Sequence, residues 1–113
     1  MLQMKYFNES PFAVTVCDKE GIIIYMNEKS KLTFASYGGG ELIGRNLMDC
    51  HPEAAQIKIT ELLKLRERNA YTIEKNGRRK LIYQTPWYAD GEFAGLIELS
   101  LELPDEMPHF RRG

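Results

Sequence analysis

Residues 71–103 read YTIEKNGRRKLIYQTPWYADGEFAGLIELSLEL, and the three alternating runs within them decide the architecture. Ile97, Leu99, Leu101 and Leu103 alternate with Glu98, Ser100 and Glu102, the cleanest period of two in the chain. The run before it sets Leu81, Tyr83, Thr85 and Trp87 against Ile82, Gln84 and Tyr88. Tyr71 and Ile73 open a third. Asn76-Gly77 and Asp90-Gly91 separate the runs, and both dipeptides suit two-residue hairpin turns. The stretch predicts a three-strand antiparallel meander.

Moving toward the N-terminus, Ala55, Ile59, Leu62, Leu63 and Arg66 fall on one helical face, so an amphipathic helix runs from Pro52 to about Glu67. Pro52 suits its first turn, where a missing N–H costs nothing. Glu41-Leu42-Ile43-Gly44 reads as one more helical turn. Asn27 can cap another helix, with Leu32, Phe34 and Ala35 as its apolar residues and Gly38-Gly39-Gly40 as its stop. Before it, Phe12, Val14 and Val16 alternate with Ala13, Thr15 and Cys17. The turn Asp18-Lys19-Glu20-Gly21 and the β-branched run from Ile22 to Met26 complete a hairpin. The fold class is therefore α+β: a five-stranded antiparallel sheet with short helices packed on one face and a cleft between the layers. Residues 1–10 are read as a helical cap, 11–103 as the domain, and 104–113, with two prolines and a basic end, as an exposed tail.

A chain of 113 residues suits one domain, and 43% hydrophobic with 27% charged residues is an ordinary globular balance. A formal charge of -1 gives no general attraction for nucleic acid or for anionic membrane. There is no apolar run of signal-peptide or membrane-span length, and Cys17 and Cys50 are too few for a disulfide-built scaffold. A reducing, cytoplasmic setting is the expectation.

Four pieces of the chain, in order, resemble the PAS domain family. They are the opening hairpin with Asp18 and Gly21 followed by Asn27; Glu41-Leu42-Ile43-Gly44-Arg45-Asn46; His51-Pro52-Glu53 at the head of the long helix; and Pro86 through Asp90-Gly91 to Gly95. The resemblance covers about Ser10 to Leu103. It implies strand order 2-1-5-4-3, and a sensory or dimerising role, often upstream of a kinase, a cyclase or a DNA-binding effector. The chain departs from the family at its end, where Leu103-Pro104-Asp105-Glu106 replaces the usual Asp-Ile-Thr, and Pro104 prevents a continuous helical relay. It is read as a free-standing PAS protein or a piece cut from a longer one.

The expected function is a non-catalytic sensory domain that binds a small ligand or a partner, forms a homodimer and acts on a separate signalling effector. The candidate cleft residues are Asn27, Phe34, Arg45, Asn46, His51, Tyr83 and Gln84, with Arg45 or Asn46 at the mouth. Tyr83, Trp87 and Tyr88 also read as core packing plus a dimer surface. Glu98 and Ser100 lie opposite the apolar face of their strand, facing either solvent or a covering element. A docking module is the first rival, its cleft filled by Phe12, Tyr25, Phe34, Tyr83 and Trp87. The second is a small enzyme using Cys50 and His51, adjacent residues with no third group to orient them. The cysteines and histidines lack metal-ligand spacing. Among cofactors, the resemblance leaves haem through His51 or flavin without a covalent link; Leu47 stands where the photoactive flavin branch has its reactive cysteine. Arg78-Arg79-Lys80 reads as a solvated hairpin end, without the stacking aromatics of a nucleic-acid patch.

Overall fold

The computed structural model describes residues 4–113, apart from the side chain of Cys50. Five strands, β1 (Ala13–Asp18), β2 (Ile23–Met26), β3 (Asn69–Lys75), β4 (Arg78–Ala89) and β5 (Glu92–Glu102), form one antiparallel sheet in the order β2-β1-β5-β4-β3. The short helix α1 (Lys5–Asn8) precedes β1. Between β2 and β3 come α2 (Glu28–Thr33), three single 3-10 turns at Ala35–Tyr37, Gly39–Leu42 and Leu47–Cys50, and α3 (Glu53–Leu65). Residues 1–3 of the expected cap lie outside the described residues.

Local chemistry explains the connections. Asn76 and Gly77 take φ of 53° and 75°, and Asp90 and Gly91 take 52° and 80°, the paired positive values of a hairpin turn that matches strand twist. Asp18 closes the first hairpin by accepting from the N–H groups of Glu20 and Ile22, both at 2.9 Å. Pro52 stands as the N-cap of α3 rather than inside its first turn, and Arg66 ends that helix at φ 58°.

The two faces of the sheet are unlike. Toward the helices, cross-strand register builds transverse rows: Thr15, Glu98, Gln84 and Asn69 in one, then Ala13, Ser100, Ile82 and Tyr71 in the next. On the opposite face Val14, Leu99, Tyr83 and Ala70 make the equivalent row. The apolar side of β5 therefore points away from the helices, and Glu98 and Ser100 point beneath them. The sequence had left that choice open. The apolar core occupies one end of the helix-facing side, where Cys17 and Leu96 meet Ile23, Met26, Leu42, Leu47, Ile59 and Leu62.

The apolar reading of α2 is corrected. Leu32 is 71% exposed, whereas Ser30 is fully buried and shares a 2.6 Å hydrogen bond with Thr15 Oγ1. Ser30 is the buried position of this six-residue helix, and the hydroxyl beneath it makes a serine the fitting occupant.

Candidate functional site

Beyond the apolar core, the sheet and the helical layer separate to leave a cavity of about 230 Å³. Its floor comes from the central strands: Ala13 and Thr15 on β1, Glu98 and Ser100 on β5, Lys80 and Ile82 on β4. Tyr71, Ile73 and Lys75 of β3 form one wall, and Thr33, Phe34, Tyr37 and His51 form the roof. A hydrogen-bonded chain crosses the floor at the boundary with the core. Asn69 Nδ2 donates to Gln84 Oε1 at 2.8 Å, and Gln84 Nε2 donates to Glu98 Oε2 at 2.7 Å. Thr15, beside Glu98 in register, is tied to Ser30 above it. Buried polar side chains persist only when such bonds offset their desolvation. Burial pushes the Tyr71 phenol above its usual 10.0, and the nearby Glu98 charge adds in the same direction.

The seven residues chosen from sequence fall in different places. Phe34 and His51 stand together on the cavity roof, ring centroids 6.0 Å apart. His51 Nδ1 lies 2.9 Å from the Leu47 carbonyl oxygen. Gln84 is buried in the hydrogen-bonded chain at the core boundary, outside the cavity lining and beside Thr15, Cys17 and Glu98. Asn27 is fully buried, and its amide is engaged elsewhere: Oδ1 accepts from Val14 and Ser30, and Nδ2 donates to the carbonyls of Phe7 and Phe12. Asn46 caps the turn at Leu47–Cys50 by accepting from Met48 N–H at 3.0 Å. Arg45 is exposed, 4.0 Å from Asp49. Tyr83 belongs to the opposite face of the sheet, where its hydroxyl meets Arg68 at 3.4 Å.

Of the five bulky residues expected to fill the cleft, Phe34 alone lines it. Tyr25 donates its hydroxyl to Asn8, and the Trp87 indole donates to the Cys17 carbonyl. Thr15, Tyr71, Lys75, Lys80 and Ser100 were not chosen from sequence, nor was Glu98. The available signal was the run of polar residues at inward parity on three central strands, where an apolar face was the default. At about 230 Å³ the cavity lies just under the roughly 300–1,000 Å³ typical of small-molecule pockets, and His51 is on its lining. Among the described residues no cluster of three or more His, Cys, Asp or Glu could hold a metal ion, and no helix is long and apolar enough to cross a membrane.

The sequence matches the family described as PAS fold over residues 7–106, so the chain belongs to that family. Domains of this family are common in signal transduction and are generally sensory and non-catalytic. Among solved structures, the PAS domain of a Colwellia psychrerythraea protein is similar at TM-score 0.62 and 20% identity, over 88% of this chain and 92% of that one. The Aer2 receptor of Vibrio cholerae, described as a dual PAS-haem oxygen sensor, is similar at TM-score 0.60 and 20% identity, over 82% and 95%. Vibrio cholerae VqmA, described as a LuxR-type receptor, is similar at TM-score 0.67 and 16% identity, over 93% of this chain and 53% of its own. A structure of VqmA bound to DPO has a TM-score of 0.68. At these identities the likeness is one of fold. No curated protein matches the chain.

Proposed function

We propose that this chain is a cytoplasmic sensory domain that takes a small polar ligand into the cavity beneath α2 and reports its presence through the sheet. One observation carries the reading. The helix-facing side of the central strands, where an apolar core would be the more stable choice, holds Thr15, Lys80, Glu98 and Ser100 beneath an open space of about 230 Å³. Relatives of the same fold named for an oxygen-sensing haem and for bound DPO support small-molecule use of such a space.

Signal output is assigned to a surface. Val16, Ile97, Leu99, Leu101 and Tyr83, each partly exposed, share the sheet face opposite α2 and α3, in register with the buried Val14. An apolar stripe of this kind favours a homodimer or an effector laid against it. The description of VqmA as a DNA-binding LuxR-type receptor supports a signalling output of that kind.

Native mass spectrometry of freshly purified protein tests the ligand, paired with Ser100→Phe to fill the cavity. A co-purifying small molecule that is lost in the variant is expected; identical spectra from folded wild type and folded variant refute the reading. For the dimer, light scattering after size exclusion should show two chains per particle, reduced to one by Leu99→Asp. A wild-type monomer at high concentration ends that part.

A further inference from the structure

We infer that the ligand is a small elongated zwitterion, its ammonium group against Glu98 and its carboxylate against Lys80 and Lys75. This rests on the cavity being the sensory site. The cavity carries opposite charges at its two ends. Glu98 is half-buried and accepts from the neutral amide of Gln84 at 2.7 Å, with no cationic partner among the described residues. Lys80 is half-buried on the same floor, and neither it nor Lys75 has a carboxylate partner among the described residues. Glu102 lies opposite Lys80 in register, but Arg78 holds its carboxylate at 3.1 Å. Lys29 adds a further positive charge where the cavity opens past Lys75 and Lys80.

Glu98 and Lys80 are partly buried and Lys75 is exposed, and charges of opposite sign at the two ends of one space suit a ligand with complementary ends. Polarity fixes the orientation, because a carboxylate is repelled at the Glu98 end. Spacing fixes the length. Lys80 pairs with Glu102, four residues along β5 from Glu98, about 13 Å of strand at ~3.3 Å per residue. The lysine stem spans part of that distance, so the ligand's charges must stand several bonds apart. An ω-amino acid has that form.

The test is an NMR titration of the 15N-labelled protein with 6-aminohexanoate, hexylamine and hexanoate. 6-Aminohexanoate is expected to bind about tenfold or more tightly than either single-ended probe, shifting the amides of Thr15, Glu98, Ser100 and Lys80. Lys75→Met with Lys80→Met should erase its advantage over hexylamine, and Glu98→Gln its advantage over hexanoate. Chemical-shift dispersion reports whether each variant is folded, and a singly substituted Lys80→Met serves if the double variant is not. Equal affinities for the three probes, or no binding by any, overturn the inference. An uncharged molecule co-purifying in the cavity would also overturn it while leaving the sensory reading intact.

Discussion

Asn27→Ala should be among the most damaging single substitutions in this chain, although the residue touches no ligand site. Its fully buried amide makes four hydrogen bonds: from Val14 N–H at 2.9 Å, from Ser30 N–H at 3.0 Å, and to the carbonyls of Phe7 and Phe12 at 2.7 and 2.8 Å. One side chain thus caps α2, extends the pairing of β1 and ties down the segment carrying α1. At about 1 kcal/mol net for each bond, the four sum to about 4 kcal/mol. The N–H groups of Val14 and Ser30 are buried and gain no water in exchange, whereas the Phe7 and Phe12 carbonyls are partly wet. A loss of about 3–5 kcal/mol follows, a large part of the ~5–15 kcal/mol typical of a domain. In a chain of this size that lowers the melting midpoint by roughly 12–20 °C. Urea unfolding followed by circular dichroism measures it. Asn27→Asp separates the roles, since a carboxylate still accepts from Val14 and Ser30 but faces two carbonyls without a proton to give. Hydrogen exchange should then accelerate at residues 5–12 while the Ser30 amide stays protected. A cost below about 1.5 kcal/mol for the alanine, or an N-terminal segment as protected in Asn27→Asp as in the wild type, would refute the reasoning.

Gly95→Ala should cost about 2–4 kcal/mol, because φ is 150° and a Cβ would collide with the Cys17 carbonyl oxygen and stand 2.8 Å from Asp18 Cα. An urea midpoint unchanged from wild type counts against this. Cys17 is 1% exposed, and burial pushes its thiol above the usual 9.0, helped by the charges of Asp18 and Glu98. Iodoacetamide at pH 8 should leave it unmodified in the native chain and label it in urea, as read by peptide mapping; equal labelling in both states refutes the placement. Tyr71 keeps its proton when folded at pH values where the unfolded chain has released it. Its contribution is therefore intact below pH 10.0 and is lost as pH rises through the raised folded pKa. Tyr71→Phe should flatten part of the alkaline fall in stability, and Tyr25, raised by burial and then by Glu28, accounts for another part. An unchanged alkaline limb in Tyr71→Phe would remove the effect.

The sequence by itself determined the features that rest on neighbouring residues. Asn76-Gly77 and Asp90-Gly91 dictated the two hairpins, because few other dipeptides take paired positive φ without strain. The alternation from Ile97 to Leu103 dictated a strand, and Asn27 was legible as a cap because its bond to Ser30 spans three residues. The family resemblance supplied the strand order, which the sheet shows. Which face of the sheet received the helices was settled only on folding. A period of two separates two faces but carries no sign telling which the helical layer covers, and the apolar face of β5 is the one turned away from α2 and α3. The site followed from that choice. Glu98, Ser100 and Lys80 became a cavity floor beside Thr15, which Ser30 holds from above, and Gln84, which bonds Glu98, all brought together from strands and a helix far apart in the chain. Tyr83, one residue from Gln84, went to the other side. Asn27 shows the same division within one side chain. Its cap is local and readable, while its hold on Val14, Phe7 and Phe12 exists only once the chain has folded back on itself.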